Sequence, residues 1–363
     1  MAEDAVQVKR VLLVAPRMEP RGTCEYTLNL ARELKRCEVA VAVCCAPGPM
    51  LDALHEAEVP VSTFEHLERL GLHFGERKRF LKAVADFAPQ LVHGQSFRVA
   101  GALALLGKGD GPPLVLTIHW VPPRPRALRR LSRRLAGIIA TTQVVREAAV
   151  NQCGVDRGKV KVIRNGIDVE RLDARDIPPI LRSRAAVVGS LGPVEEMRGH
   201  ELFVRAVSTL VRRGVSAQFV VAGQGEELPE IRKVLTQLGL DRYITLATDF
   251  STYGDVLDAL DVVVQSSLVN ISGFSILESM GHGRPVIAFK TGTACEIVAD
   301  GETGLLVAKG DVKALAGAME RLITNKEEAR RMGEKARRRV GEQFNIRTVA
   351  RETVDYYAGL LSA

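Results

Sequence analysis

Aromatic side chains are scarce in this sequence, 5% of 363 residues with a single tryptophan. A platform that stacks exposed bases needs more of them, which argues against a nucleic-acid partner. Cysteine is also thin. Cys24, Cys37, Cys44, Cys45, Cys153 and Cys295 include no pair at metal-knuckle spacing, and Cys44-Cys45 falls in an apolar strand pattern. Reduced thiols in a cytoplasmic protein are the expectation. No apolar run approaches the length of a membrane span. Glu3 and Asp4 stand near the first residue, with no cationic stretch leading into an apolar one, so no secretory signal is expected.

Several phosphate and nucleophile motifs are missing. After the first apolar strand the loop holds one glycine, Gly22. After Val188 come Gly189 and Gly192, at the wrong spacing for a dinucleotide fingerprint. There is no G-x-x-x-x-G-K-[ST] loop and no G-x-S-x-G elbow. No Asp-x-Asp pair offers a divalent-metal site, and Asp255, Asp258 and Asp261 read as helix and strand edges.

What is present is a core-forming chain, 46% apolar, with a net charge of +7 that fits an acidic partner such as a nucleotide, a phosphate or an anionic membrane. Its length suggests two domains. Short apolar strands alternate with amphipathic helices, starting at Val11 to Ala15. Strands follow at Glu38 to Cys44, Val59 to Phe64, Leu91-Val92, Leu114 to Ile118, Gly137 to Thr141 and Val160 to Ile163. Between them lie helices such as Tyr26 to Lys35, after a loop PRMEPRGTCE. This pattern predicts a parallel α/β sheet. Residues 168–184 are polar, carry Pro178-Pro179 and read as an inter-domain connection. The alternation then restarts at Ala185 to Val188 and runs to Gly304 to Val307, and from Val312 the pattern is helical.

One stretch organises the second half. A strand at Val262 to Val264 feeds a polar loop ending in Gly273-Phe274-Ser275, and a short helix follows, Ile276 to Met280, containing Glu278. Gly281, Gly283 and Pro285 stop it, a strand comes next at Val286 to Phe289, and then a loop at Gly292-Thr293. A glycine where a helix begins leaves backbone N–H groups, with the helix dipole behind them, for an anion such as a phosphate.

Three pieces of this chain resemble the retaining glycosyltransferases of family four, the group 1 glycosyltransferases with the GT-B fold. Val162 to Asp168 looks like that family's "NG-D" element. Val188 to Leu191, with Arg198-Gly199-His200, looks like its "GRL … KG" loop. Ile276 to Met280, with Gly283 to Ala288, looks like its "LEAM-CG-PVIA" signature. The resemblance implies two Rossmann-like domains facing a cleft. Residues 1–170 would form the acceptor side, 171–345 would bind the nucleotide-sugar, and the helix of 346–363 would cross back to the first domain. It implies a sugar transferred from a UDP- or GDP-type donor to an acceptor hydroxyl, with retention and without a metal or other cofactor.

Residue by residue, Glu278 would accept hydrogen bonds from the ribose hydroxyls. Gly273, Phe274 and Ser275, with Gly292 and Thr293, would cradle the donor. Arg198 would grip the leaving diphosphate. His119 would end a strand and face the sugar, with Gly22 and Thr23 nearby. The chain departs from the family at three places. Asn270 stands where the first of two glutamates is usual, or Ser272 if the register slides. Ser190 replaces a basic residue of the diphosphate loop. Thr23 replaces the second glycine of the first loop. These departures keep a second reading open, a nucleotide-sugar-binding sensor or scaffold without turnover, and a third, epimerisation or phosphorolysis on the same fold.

A last feature stands apart. Arg124, Arg126, Arg129, Arg130, Arg133 and Arg134 crowd around Leu128, Leu131 and Leu135 at helical spacing. This is a short basic amphipathic helix, suited either to an anionic membrane surface or to packing its leucines on its own core.

Overall fold

The computed structural model describes residues 7–19, 22–107, 111–120, 124–173, 185–250, 252–269 and 272–362. The chain divides into two compact units, one of Met1–Gly166 with Asn345–Ala363 and the other of Ile167–Phe344.

The first unit is built on seven strands: β1 (Arg10–Arg17), β2 (Ala40–Ala46), β3 (Val61–Thr63), β4 (Leu91–Gly94), β5 (Leu114–Ile118), β6 (Gly137–Ala140) and β7 (Val160–Val162). They pair in parallel in the order β3-β2-β1-β4-β5-β6-β7. Val11 to Ala15 are buried on both faces of β1, because helices cover both sides of the sheet. Its helices ahead of the second unit are α1 (Gly22–Arg36), α2 (Leu51–Glu56), α3 (Phe74–Phe87), α4 (Ala100–Leu106), α5 (Pro125–Ser132) and α6 (Gln143–Asn151). Helix α1 begins earlier than its apolar spacing predicts. Gly22 and Thr23 form its first turn rather than a loop, and Thr27 Oγ donates back to the Thr23 carbonyl.

The second unit carries β8 (Ala186–Leu191), β9 (Ala217–Ala222), β10 (Ile244–Ala247), β11 (Val262–Gln265), β12 (Val286–Phe289) and β13 (Gly304–Val307), parallel in the order β10-β9-β8-β11-β12-β13. Its helices are α7 (Val169–Asp173), α8 (His200–Arg212), α9 (Leu228–Gln237), α10 (Tyr253–Ala259), α11 (Phe274–Gly281), α12 (Gly292–Ile297), α13 (Val312–Thr324) and α14 (Lys326–Gln343). Of the polar stretch read as a connection, α7 belongs to this unit, and residues 174–184 lie outside the described residues. Helix starts follow their caps: Thr252, Asp311 and Asn325 each accept an N–H three residues on. The apolar stripe of α8, Phe203, Val204, Val207 and Leu210, seals one face of the sheet.

Helix α15 (Ile346–Leu361) returns to the first unit and packs along α1. Gly166 and Gly137 make that fit possible. A Cβ on Gly166 would lie 2.7 Å from Ile346 Cα, and one on Gly137 would fall on the Tyr356 hydroxyl. Tyr357 is fully buried and pairs its hydroxyl with His93 Nδ1, while His93 Nε2 lies 2.7 Å from Thr117 Oγ. Burial holds the His93 imidazole neutral, its pKa pushed down to about 3.

The helix is therefore pinned to β4 by one buried polar contact. Tyr357→Phe keeps the ring and removes the hydroxyl, leaving His93 Nδ1 without its partner. We expect a loss of about 1–3 kcal/mol, read as an earlier urea transition of the first unit. An unchanged transition would mean that the contact carries no stability.

Candidate functional site

In both sheets the strand order reverses once, between β1 and β4 and between β8 and β11. Neighbouring loops diverge at such a junction, and ligands of open α/β sheets bind there, beyond the strand carboxyl ends. The organising stretch of the sequence falls at the second junction.

The loop after β8 is held from several sides. Gly192 N–H donates to the Ala222 carbonyl, and Val194 N–H to the Gln224 carbonyl. Leu268 N–H, from the loop after β11, donates to the Met197 carbonyl at 3.0 Å, and Ser266 Oγ donates to the Gly199 carbonyl at 2.7 Å. Two glycines permit this lacing. A Cβ on Gly223 would fall on the Gly192 carbonyl oxygen, and one on Gly199 on that of Ser266. Gly199 also sits at φ 67°, a left-handed conformation that favours glycine. Arg198 is half-buried on this loop and folds back over Gly192, its Nη1 3.9 Å from where a Gly192 Cβ would be.

Helix α11 opens at Gly273, φ 79°, which has no side chain to cap the first turn. Thr293 and Ile297 of α12 pack into the space a Gly273 Cβ would take. The burial along α11 is uneven. Phe274, Ile276, Leu277, Ser279, Met280 and Gly281 are buried, while Ser275 and Glu278 keep partial exposure. Three residues apart, these two share one stripe. Phe274 turns its ring inward, so toward a ligand it offers backbone. The far end of α11 is clamped: His282 Nδ1 is 2.8 Å from Asp258 Oδ1, and Arg284 donates to the carbonyls of Leu257 and Asp258.

The structure moves two residues out of the roles first expected. Ser190 is 2% exposed, and its hydroxyl donates to His200 Nδ1 at 3.0 Å, while His200 Nε2 donates to the Pro193 carbonyl at 3.1 Å. Ser190 thus faces the loop's inner support rather than a diphosphate. His119 is likewise 2% exposed, with both ring nitrogens engaged. Its Nε2–H donates to the Gln95 carbonyl at 3.0 Å, since a carbonyl can only accept. Its Nδ1 lies 3.0 Å from Asn165 Oδ1. Tyr26 closes the edge of the ring, centroids 5.7 Å apart. The ring faces inward and braces the strand ends instead of presenting a nitrogen to a sugar. Gly292 and Thr293 open α12 rather than a loop, and Thr293 is buried. Asn270 lies outside the described residues. In and just after α5, Leu128, Leu131 and Leu135 are buried in the first unit's core, while Arg124, Arg126, Arg129, Arg130, Arg133 and Arg134 are exposed, so this segment has no spare apolar face.

His200 was not singled out from the sequence. Its signal was the Arg-Gly-His run, where only the arginine and glycine carried expectations.

A profile described as "Glycosyl transferases group 1" matches residues 176–339, and one described as "Glycosyltransferase Family 4" matches residues 20–171. The chain belongs to the group 1 glycosyltransferases. Among curated relatives, the alpha-D-kanosaminyltransferase of Streptomyces kanamyceticus is 31% identical over 153 residues, 41% of this chain and 39% of that one. The glycogen synthase of Mycobacterium tuberculosis is 26% identical over 306 residues, 78% of this chain and 72% of that one. Anabaena HepE, solved with UDP and glucose, superposes with a TM-score of 0.84 at 21% identity, over 97% of this chain and 100% of that one, and the fold is GT-B.

Three buried imidazoles give a testable pH dependence. Burial pushes His119 and His200 down to about 4 from an ordinary 6.5, and His93 to about 3. The unfolded chain takes up these protons below pH 6.5 and the native one does not. Stability is therefore full above about 6.5 and falls as pH drops toward 4, each histidine adding a slope of up to about 1.4 kcal/mol per pH unit. Melting temperature measured from neutral pH down to pH 5 should fall steeply, and His200→Gln should flatten that fall by one proton's worth. An unaltered slope in His200→Gln would show that His200 titrates as a solvated group.

Proposed function

We propose that this chain transfers a sugar from a nucleoside-diphosphate sugar, of UDP or GDP type, to an acceptor hydroxyl. The observation that carries this is the accessible Ser275–Glu278 stripe on an otherwise buried helix, opening at the β8–β11 junction beside the loop of Arg198. A carboxylate with two oxygens suits the two hydroxyls of a ribose. The amides at the start of α11 and the Arg198 guanidinium suit a diphosphate. The relatives are named for glycosyl transfer, and Anabaena HepE has been solved with UDP and with UDP-glucose.

In this reading the bond from the anomeric carbon to the diphosphate oxygen breaks, one from that carbon to the acceptor oxygen forms, and the acceptor's hydroxyl proton passes to the departing diphosphate. Negative charge grows on the leaving diphosphate. Arg198 and the α11 dipole stabilise it more as the bond breaks than before, which is what lowers a barrier. Retention and independence of metal belong to the same proposal, the arginine and helix supplying positive charge at the leaving group. Asn270 would offer the sugar hydrogen bonds but no negative charge. A binding protein without turnover is the second reading, and relatives named as transferases and synthases do not favour it. The outward arginines of α5 meet no carboxylate among the described residues, and we read them as an electrostatic contact with an anionic membrane on the cytoplasmic side. No described helix is long and apolar enough to cross a membrane.

Thermal melts with UDP, GDP and ADP test the donor site. At a hundredfold excess over its dissociation constant, the right nucleotide should stabilise by about 2.7 kcal/mol, and Glu278→Ala should abolish the shift. With the matching sugar donor, Arg198→Ala should lower turnover by about 10²–10³, and EDTA should leave it unchanged. If no nucleotide shifts the melt, the donor assignment fails.

A further inference from the structure

Leu72 and Phe74 are each 80% exposed, well above any other large apolar side chain among the described residues. They stand two apart, where β3 leads through a 3-10 turn (Leu67–Leu72) into α3. The same turn buries Leu67 and Leu70 completely, so the segment has a core face and has not simply missed one. Gly71 and Gly75 flank the pair, and a Cβ on either would meet nothing within 4 Å. Single exposed apolar residues are ordinary, and two this bare within three positions are the strongest candidate contact surface among the described residues.

Charge identifies the partner. The acids around the tip are already engaged. Glu65 pairs with Arg17 at 2.6 Å, Glu68 with Arg98 at 3.0 Å, and Glu76 accepts the N–H groups of Glu65 and His66, both at 2.8 Å. The cations are not. Arg69 and Lys78 are exposed and meet no carboxylate among the described residues, and the Arg77 guanidinium lies over the Phe74 ring at 5.9 Å. The tip and the arginines of 124–134 both border α4, an uncharged helix. The 3-10 turn packs on α4, and Arg134, just after α5, donates to the α4 carbonyl of Ala104 at 3.1 Å. Apolar side chains beside two cations without carboxylate partners, Arg69 and Lys78, complement a surface that is anionic outside and apolar within.

We propose that Leu72 and Phe74 form an insertion tip that, with Arg69, Arg77 and Lys78, seats the first unit on an anionic lipid bilayer. The tip supplies the apolar half of a peripheral contact whose electrostatic half, on the reading above, is the arginine face of α5. Insertion adds side-chain burial to headgroup attraction, the two components that determine such binding. It also sets the acceptor-side unit against the surface where a lipid-linked acceptor would stand.

The test is co-sedimentation of the full chain with vesicles of phosphatidylcholine, alone and mixed with phosphatidylglycerol. Leu72→Ser/Phe74→Ser should weaken binding to the mixed vesicles at least about tenfold with an unchanged melting temperature. Phe74→Trp should shift its emission to the blue on mixed vesicles only. Arg129→Glu/Arg130→Glu/Arg133→Glu tests the α5 reading separately: if that variant binds as the parent does while the serine variant does not, the tip stands and the α5 contact falls. Equal binding by the serine variant and the parent, or no spectral shift at position 74, overturns the tip. So does a parent dimer that the serine substitutions dissociate without changing vesicle binding, because the pair would then cover a second copy of the chain.

Discussion

The site depends on backbones approaching where no side chain fits. Gly223 lies against the Gly192 carbonyl and Gly199 against that of Ser266, so the loops after β8, β9 and β11 rest directly on one another. Donors in these loops are spent on fixed partners, and the loop that carries Arg198 is set before any ligand arrives. A cation placed in advance does not have to be reorganised as charge develops beside it, which is where electrostatic catalysis gains most. Gly273 does the same for α11. With no Cβ there, α12 comes in close, and the first turn of α11 is left uncapped by a side chain, facing the junction.

Both units brace their strand ends in one way, with a buried neutral histidine bonded at both ring nitrogens. His119 ties Gln95 to Asn165 across the ends of β4, β5 and β7, and His200 ties Ser190 to Pro193 across the end of β8. An imidazole can donate with one nitrogen and accept with the other, so it spans two loops that backbone bonds alone do not join. Burial makes the arrangement demanding, because an unbonded nitrogen there would be costly. It also keeps both rings uncharged, and beside His200 the Arg198 charge adds to what burial does.

Much of this was legible in the sequence, for identifiable reasons. Continuous apolar runs such as Val11 to Ala15 and Val286 to Phe289 can only be strands covered on both faces, and they are. The helix carrying Glu278 was legible because its limits are local, a short apolar stretch closed by glycines and a proline. Helix starts were less so. Gly22-Thr23 and Gly292-Thr293 read as loops because glycine is a weak helix former, yet each opens a helix in a fold that needs one there. Ser190 and His119 were given ligand-facing roles since sequence position tells which strand end a residue occupies, not which way its side chain turns. The Ser190–His200 pair spans ten residues and the His119–Asn165 pair forty-six, and neither spacing carries a period. Leu72 and Phe74 were silent for a related reason, because apolar letters near a helix start look like core until burial shows otherwise.

The distribution of charge separates two kinds of anion contact. Against a net charge of +7, six arginines gather between Arg124 and Arg134, while the donor loop has Arg198 on its own short turn. A diphosphate bound among backbone amides at a helix start needs few full charges, because dipoles and one guanidinium act on it at short range out of bulk water. A membrane surface is met in water, where each charge counts for little and screening is strong, so many are needed. On the proposed reading, the sparse cation at the β8–β11 junction and the dense ones of residues 124–134 answer different dielectric surroundings. An apolar tip on the same unit would offset what screening takes from such a patch, since hydrophobic burial does not weaken with salt.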